Sequence, residues 1–102
     1  MARVAWTALV RPDRIEEYER AHAAVWPEVL KLIKVAGVRN YSIFRYDNRL
    51  FGYYECDDPD AAKATMQRGE RETGWTAAMA DLFEPEVAEH GADEMPEIFR
   101  LD

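Results

Sequence analysis

The fold of this chain follows from its middle stretch, residues 39–56, which reads RNYSIFRYDNRLFGYYEC. Side chains of alternating character fill residues 39–46 and 49–56, and the turn pair Asp47-Asn48 separates the two runs. Such runs, rich in aromatic and β-branched residues and joined by a short polar turn, predict a β-hairpin. Gly52 within the second run indicates either a bulge or the close approach of another group.

A helix is predicted before this hairpin. Asp13 is a suitable N-cap for it, with Glu16 placed three residues later as in a capping box. Pro27 is expected to kink or restart the helix near Trp26, and Gly37 is expected to end it. The side expected to pack against the rest of the protein consists of residues that recur at three- and four-residue steps: Ile15, Tyr18, His22, Val25, Val29 and Ile33.

More helix is predicted after the hairpin. Asp58-Pro59-Asp60 has the preferred order of a capping residue followed by proline. This helix is expected to run to about Arg68, where Gly69 and Gly74 interrupt it. A further helix then carries one apolar side, which Pro85 closes: Trp75, Met79, Leu82 and Phe83. Residues 84–95 are expected to form an acidic surface loop.

The two ends of the chain supply the outer strands. Residues 3–10 alternate, and so do residues 97–101. The resulting order of strand, helix, strand, strand, helix, strand predicts an α+β, ferredoxin-like βαββαβ fold, with one antiparallel sheet and helices on one face. We expect the second face to be covered by a second copy, which gives a homodimeric α+β barrel. The large rings assigned to that face are Trp6, Tyr41, Phe51, Tyr53 and Phe99.

Composition limits the functional classes. The 102 residues fit one domain, 1–102, and 20 acidic against 13 basic residues give a net charge of −7. This charge disfavours nucleic acid and anionic membrane as partners, and it leaves a neutral or cationic small molecule or a protein. The single cysteine, Cys56, excludes an internal disulfide and a cysteine-based metal site. No segment reads as a signal or membrane-spanning sequence, so a cytoplasmic location is expected.

Tyr18 and His22 are the candidate functional pair. Four residues of helix place them about 40° apart and one turn above each other, on the side opposite Glu16, Glu17 and Arg20. They are either satisfied core residues or the wall of a pocket. A histidine titrates near neutral pH and is therefore suited to moving a proton in both directions.

The chain resembles the L-rhamnose mutarotase family. The first helix carries Glu17-Tyr18, His22 and Trp26-Pro27-Glu28 at the family's spacing, and the second strand carries Asn40-Tyr41-Ser42-Ile43. Trp75 with Met79-Ala80-Asp81 and the terminal Glu97-Ile98-Phe99-Arg100-Leu101 complete a resemblance that covers nearly the full length.

The resemblance implies a dimeric α+β barrel that interconverts the α and β anomers of L-rhamnose or a related deoxy sugar without cofactor or metal. It implies that His22 transfers the proton, that Tyr18 binds the sugar or assists, and that Tyr41 and Trp75 line the pocket. The chain departs from the family at Thr76, where a second tryptophan is usual, and in the loop at 84–95. Both departures leave the identity of the sugar open.

Two other functional classes remain open at this point, because one fold hosts many activities. The first is a small cofactor-free oxygenase or isomerase on the same dimeric barrel, with His22 as a base. The second is a non-catalytic binding domain whose aromatic sheet face only forms the dimer.

Overall fold

A four-stranded antiparallel sheet in the order β2-β3-β1-β4 forms one layer of the computed structural model, which describes residues 1–102. The elements are β1 (Ala2–Leu9), α1 (Ile15–Ala23), α2 (Pro27–Val35), β2 (Arg39–Tyr46), β3 (Arg49–Cys56), α3 (Pro59–Thr73), α4 (Trp75–Met79), α5 (Pro85–His90) and β4 (Asp93–Met95). Short 3-10 turns occupy Pro12–Arg14 and Ala80–Leu82. This order confirms the predicted ferredoxin-like fold. No helix combines the length and the apolar character that a bilayer crossing requires.

The central hairpin forms where the sequence predicts it. Strands β2 and β3 pair from Tyr46 opposite Arg49 to Ser42 opposite Tyr53, and Asp47 adopts a positive φ of 54° in the turn. The register shifts between Arg39 and Ser42, and Asn40 has a φ of 52° there. The irregularity of the hairpin therefore lies in β2 and not at Gly52.

Gly52 instead accommodates a neighbouring side chain, the second of the two roles predicted for it. It lies directly opposite Trp6 of β1, and a Cβ built on it would come within 2.0 Å of the indole Cε2. Since carbon atoms normally approach no closer than about 3.5 Å, only glycine lets the indole lie flat over the strand.

The two faces of the sheet differ from the prediction in one respect. Residues opposite each other in a ladder point to the same face, so Trp6 shares the face of the buried Leu50 and Tyr54. Trp6 and Tyr41 both pack against core residues beneath the helices, and their assignment to the open face was wrong. Phe51 and Tyr53, which have the other parity, do lie on the open face.

The first helical region breaks at Pro27, as predicted. Residues 24–26 are non-helical, Pro27 begins α2, and Gly37 follows the end of α2 with a φ of 82°. The predicted cap at Asp13 was wrong, because a 3-10 turn starting at Pro12 precedes α1 and no side chain caps either element.

The second helical region is longer than predicted. The Asp58 carboxylate accepts a hydrogen bond from the backbone N–H of Ala61, which confirms the cap, but α3 continues through Gly69 to Thr73. Gly69 is buried, and a Cβ there would come within 2.3 Å of Leu32 on α2, so this glycine permits close packing of two helices. Gly74, with a φ of 88°, ends the helix.

The last part of the chain contradicts two predictions. Pro85 begins α5 instead of closing a helix, as a proline at the first helical position can. The fourth strand is Asp93–Met95, inside the predicted acidic loop, and it pairs with Thr7, Trp6 and Ala5 of β1. Residues 97–101 form no strand, and Ile98 is 93% exposed. Charged side chains on this short edge strand suit its position, since they discourage pairing with other chains.

Candidate active site

Helix α1 places Tyr18 and His22 in direct contact. Their ring centroids lie 4.0 Å apart with an interplanar angle of 23°, so the phenol and the imidazole are stacked. Tyr18 is only 4% exposed, whereas His22 is partly open. The four-residue spacing therefore brings the two rings together, as predicted for a shared helix side. Tyr18 belongs to the core, and His22 lies at the edge of the core.

A backbone contact orients the imidazole of His22. Its Nδ1 atom lies 3.0 Å from the carbonyl oxygen of Tyr18. A carbonyl can only accept a hydrogen bond, so Nδ1 carries the proton and donates it. In the neutral ring, Nε2 is then the unprotonated nitrogen and is free to take a proton from another molecule.

Burial changes the proton affinity of both side chains. Loss of solvent lowers the pKa of His22, and the hydrogen bond to the Tyr18 carbonyl opposes this effect in part. Burial also raises the pKa of the Tyr18 hydroxyl, and the nearby Tyr41 raises this pKa further. At neutral pH the site therefore contains a neutral imidazole, which can act as a base, beside a protonated phenol.

A pair of indoles extends the aromatic contacts of the same imidazole. Trp75 meets His22 edge to face with centroids 5.6 Å apart, and Trp26 meets Trp75 in the same way at 5.0 Å. Trp75 is the first residue of α4, directly after the turn at Gly74, and is only 8% exposed. Trp26, which lies at the predicted break before Pro27, thus joins the aromatic group of Tyr18, His22 and Trp75 through its contact with Trp75.

Phe83 completes these surroundings on the Tyr18 side. Its ring meets that of Tyr18 edge to face, with centroids 5.8 Å apart. Phe83 was predicted to lie on an apolar helix side, and its contact with Tyr18 was not predicted. The link depends on the pairing of Val10 with Phe83, a contact between residues far apart in the chain.

Tyr41 lies in a second group, built around Trp6. The indole N–H of Trp6 donates a hydrogen bond of 3.2 Å to the Tyr41 hydroxyl, and the rings of Tyr41 and Tyr54 are 5.1 Å apart. Burial raises the pKa of Tyr41 to about 12. Trp6 packs against the core cluster containing Tyr18 and also against the one containing Tyr54, so this indole joins the two groups.

A search against protein families matches residues 3–101 to the L-rhamnose mutarotase model. The chain belongs to the L-rhamnose mutarotase family. Among its relatives are L-rhamnose mutarotases from Oceanobacillus iheyensis, 31% identical over the full length of both chains, and from Opitutus terrae, 36% identical, also over the full length of both. A third, from Yersinia pestis, is 36% identical over 81% of each chain.

Solved structures support the fold of this family member. An L-rhamnose mutarotase from Formosa agariphila superposes with a TM-score of 0.79 at 24% identity and full coverage of both chains. A dimeric ferredoxin-like protein from an uncultured marine organism superposes with a TM-score of 0.58 at 12% identity, covering 98% of this chain and 95% of the other.

The positions where the chain departs from the family pattern have defined places in the structure. Thr76 is exposed on α4 next to the buried Trp75. Residues 84–95, predicted to be a loop, contain α5 and the edge strand β4. His, Cys, Asp and Glu side chains form no group of three or more that could hold a metal ion.

Proposed function

We propose that this protein is an L-rhamnose mutarotase that interconverts the α and β anomers of L-rhamnose or a closely related deoxy sugar. The observation that carries the proposal is the state of His22. Its Nδ1 is engaged by the Tyr18 carbonyl, burial lowers its pKa, and aromatic rings surround it. Membership in the L-rhamnose mutarotase family is the reason for choosing L-rhamnose as the substrate.

The proposed reaction opens and recloses the sugar ring. Nε2 of neutral His22 accepts the proton of the anomeric hydroxyl, and the bond between C1 and the ring oxygen breaks as the C1 carbonyl forms. The ring oxygen takes up a proton, from the imidazolium or from water. Rotation about the C1–C2 bond then presents the other face of the aldehyde, and the same steps in reverse give the second anomer. No net proton is gained or lost.

The neighbouring residues have distinct proposed roles. The raised pKa of Tyr18 keeps its hydroxyl protonated, so it can hydrogen-bond a sugar oxygen, and its ring supports the imidazole. Trp75 offers an indole to the apolar side of a 6-deoxy sugar. Tyr41 is proposed to bind a hydroxyl of the same sugar through its own O–H.

Saturation-transfer NMR of L-rhamnose tests the proposal directly, because it measures exchange between the two anomers at equilibrium. We expect the protein to accelerate exchange and His22→Asn to lower this acceleration by about 10²- to 10⁴-fold, the usual contribution of a positioned acid–base group. His90→Asn, which alters the exposed second histidine, is the matched control and should exchange like wild type. Absence of protein-dependent exchange with L-rhamnose, fucose and galactose would refute the proposal.

We further propose that two copies associate through the open face of the sheet. Phe44 and Tyr46 are 66% and 79% exposed on this face, and Phe51 lies between β1 and β2 beside them. Large rings in water favour burial against another surface. The dimeric ferredoxin-like protein of similar fold supports this arrangement.

The free thiol of Cys56 is compatible with a reducing compartment, and we propose a cytoplasmic location.

A further inference from the structure

Helix α3 turns one acidic side chain toward the sheet. Glu70 lies one helical turn after Met66, which belongs to the core cluster of Tyr54 and Cys56, and it directly follows the buried Gly69. The next two residues, Arg71 and Glu72, are exposed, whereas Glu70 is partly buried. Glu70 thus occupies the inner side of the helix, where a carboxylate is unusual.

The Glu70 carboxylate has no polar partner within the chain. It takes part in none of the side-chain hydrogen bonds or ion pairs of the structure, whereas Glu17, Glu19 and Glu55 are all paired. Burial raises the pKa of Glu70, as expected for a carboxyl group that loses water and gains no compensating bond. The carboxylate keeps some contact with solvent, since the structure has no buried side-chain oxygen without a hydrogen-bond partner. Its partial loss of water still disfavours the charged form, so stability does not explain a glutamate at this position.

The surroundings of Glu70 indicate what its carboxylate could bind. Tyr41 packs against the core cluster that contains Met66 and Tyr54, and Glu70 follows Met66 by one turn of α3. Burial raises the pKa of both phenols, and the charge of Glu70 adds to this effect. The Tyr41 oxygen accepts the indole N–H of Trp6, but its own O–H proton is donated to no group of the chain. An unused donor on Tyr41 and an unused acceptor on Glu70 are therefore both found at the core cluster of Met66 and Tyr54. A hydroxyl group, which accepts one hydrogen bond and donates another, can satisfy both.

We propose that Glu70 and Tyr41 together bind hydroxyl groups of the sugar, with Glu70 as a substrate-binding residue that accepts their protons. This inference rests on the proposed function, and it adds a residue to the sugar site. Trp6 contacts the groups of both Tyr41 and Tyr18. A sugar whose anomeric carbon meets His22 would then present its other hydroxyls toward Glu70.

The matched variants are Glu70→Gln and Glu72→Gln, two charge-removing changes of the same size on one helix, at a partly buried and at an exposed position. Loss of a charged acceptor should weaken L-rhamnose binding, read as KM in the exchange assay, by about tenfold in Glu70→Gln. Glu72→Gln should leave KM unchanged. The thermal midpoint of Glu70→Gln should equal or exceed that of wild type at pH 7, because an unpaired, desolvated charge is removed. A purely structural role for Glu70 would instead lower the midpoint and spare KM.

A direct measurement separates this inference from the proposed function. In protein labelled with ¹³C at glutamate carboxyl groups, the resonance that disappears in Glu70→Gln belongs to Glu70. We expect it to shift on titration with L-rhamnose while the Glu72 resonance stays in place. A sugar-dependent shift without anomer exchange would support sugar binding at Glu70 and refute the proposed mutarotase activity. Exchange without a shift, or with an unchanged KM in Glu70→Gln, would keep the mutarotase and overturn the role of Glu70. Neither exchange nor a shift would overturn both.

A set of monodeoxy rhamnose analogues would identify the hydroxyl that Glu70 contacts. In wild type, the analogue that lacks this hydroxyl should bind about tenfold more weakly than L-rhamnose. In Glu70→Gln the penalty for the same analogue should be several-fold smaller, because the contact with Glu70 is already lost and only the contact with Tyr41 remains. Equal penalties in the two proteins for every analogue would overturn the inference.

Discussion

The substitution Gly52→Ala tests the contact that positions Trp6 and, through it, Tyr41. The added methyl group would lie 2.0 Å from Cε2, 2.2 Å from Nε1 and 2.3 Å from Cζ2 of the indole. Normal contact requires about 3.5 Å, so the rigid ring has to move by roughly 1.5 Å. The ladder fixes the backbone on both sides, since Trp6 and Gly52 are direct partners.

Three contributions determine the expected loss of stability. Overpacking of this kind costs about 1–3 kcal/mol, and loss of the bond from Trp6 to Tyr41 adds about 1 kcal/mol. The lower entropy of an unfolded chain with alanine offsets about 0.4–1 kcal/mol. The free energy of unfolding should therefore fall by roughly 1–3.5 kcal/mol, out of a typical 5–15 kcal/mol.

Urea unfolding followed by circular dichroism, at one fixed protein concentration, measures this change. Gly69→Ala is the matched control, because its methyl group also meets a side chain, within 2.3 Å of Leu32. A leucine can change rotamer, and alanine favours the helix by about 1 kcal/mol, so we expect a change within about 1 kcal/mol there. A loss at Gly52 no larger than the loss at Gly69 would refute the reasoning, and so would an unchanged KM for the sugar.

Three further predictions concern the site and the open face. The anomer exchange rate should fall on acidification with a midpoint below 6.5, the ordinary pKa of histidine, because burial lowers the pKa of His22; a decline centred at or above pH 6.5 in a pH–rate profile would contradict this. Tyr41→Phe should raise KM several-fold and lower the free energy of unfolding by about 1 kcal/mol, since the Trp6 N–H loses its acceptor; exchange kinetics and urea unfolding measure the two effects. Phe44→Glu should convert a dimer to a monomer in sedimentation equilibrium, whereas Lys31→Glu on the exposed side of α2 should not; a monomeric wild type would contradict the proposed dimer.

The sequence predicts those elements whose signals are local. The hairpin, the cap at Asp58 and the break at Pro27 each depend on residues adjacent in the chain, and all three are present. The fourth strand could not be found in this way. Residues 93–95 have no strand pattern and are held by pairing with β1, while the better pattern at 97–101 finds no neighbouring strand.

The same distinction applies to the candidate site. The contact of Tyr18 with His22 follows from helical spacing. Alternation along β1 puts Trp6 and Thr7 on opposite faces of the sheet. It does not show which face is covered by the helices, so Trp6 and Tyr41 were assigned to the wrong face. Glu70 was missed because Gly69 suggests the end of a helix when the packing of Leu32 is unknown.

The hydrogen bond between His22 and the carbonyl of Tyr18 has a consequence for mutational tolerance. Histidine bases are often oriented by a carboxylate from another residue, and a single codon change can remove such a group. Here the acceptor belongs to the main chain, which every amino acid at position 18 would supply. Changes at that position can therefore alter the proposed contact between Tyr18 and the sugar without altering which ring nitrogen of His22 carries the proton. Substrate preference can therefore change through substitutions at position 18, while the helix backbone keeps the proton of His22 on Nδ1.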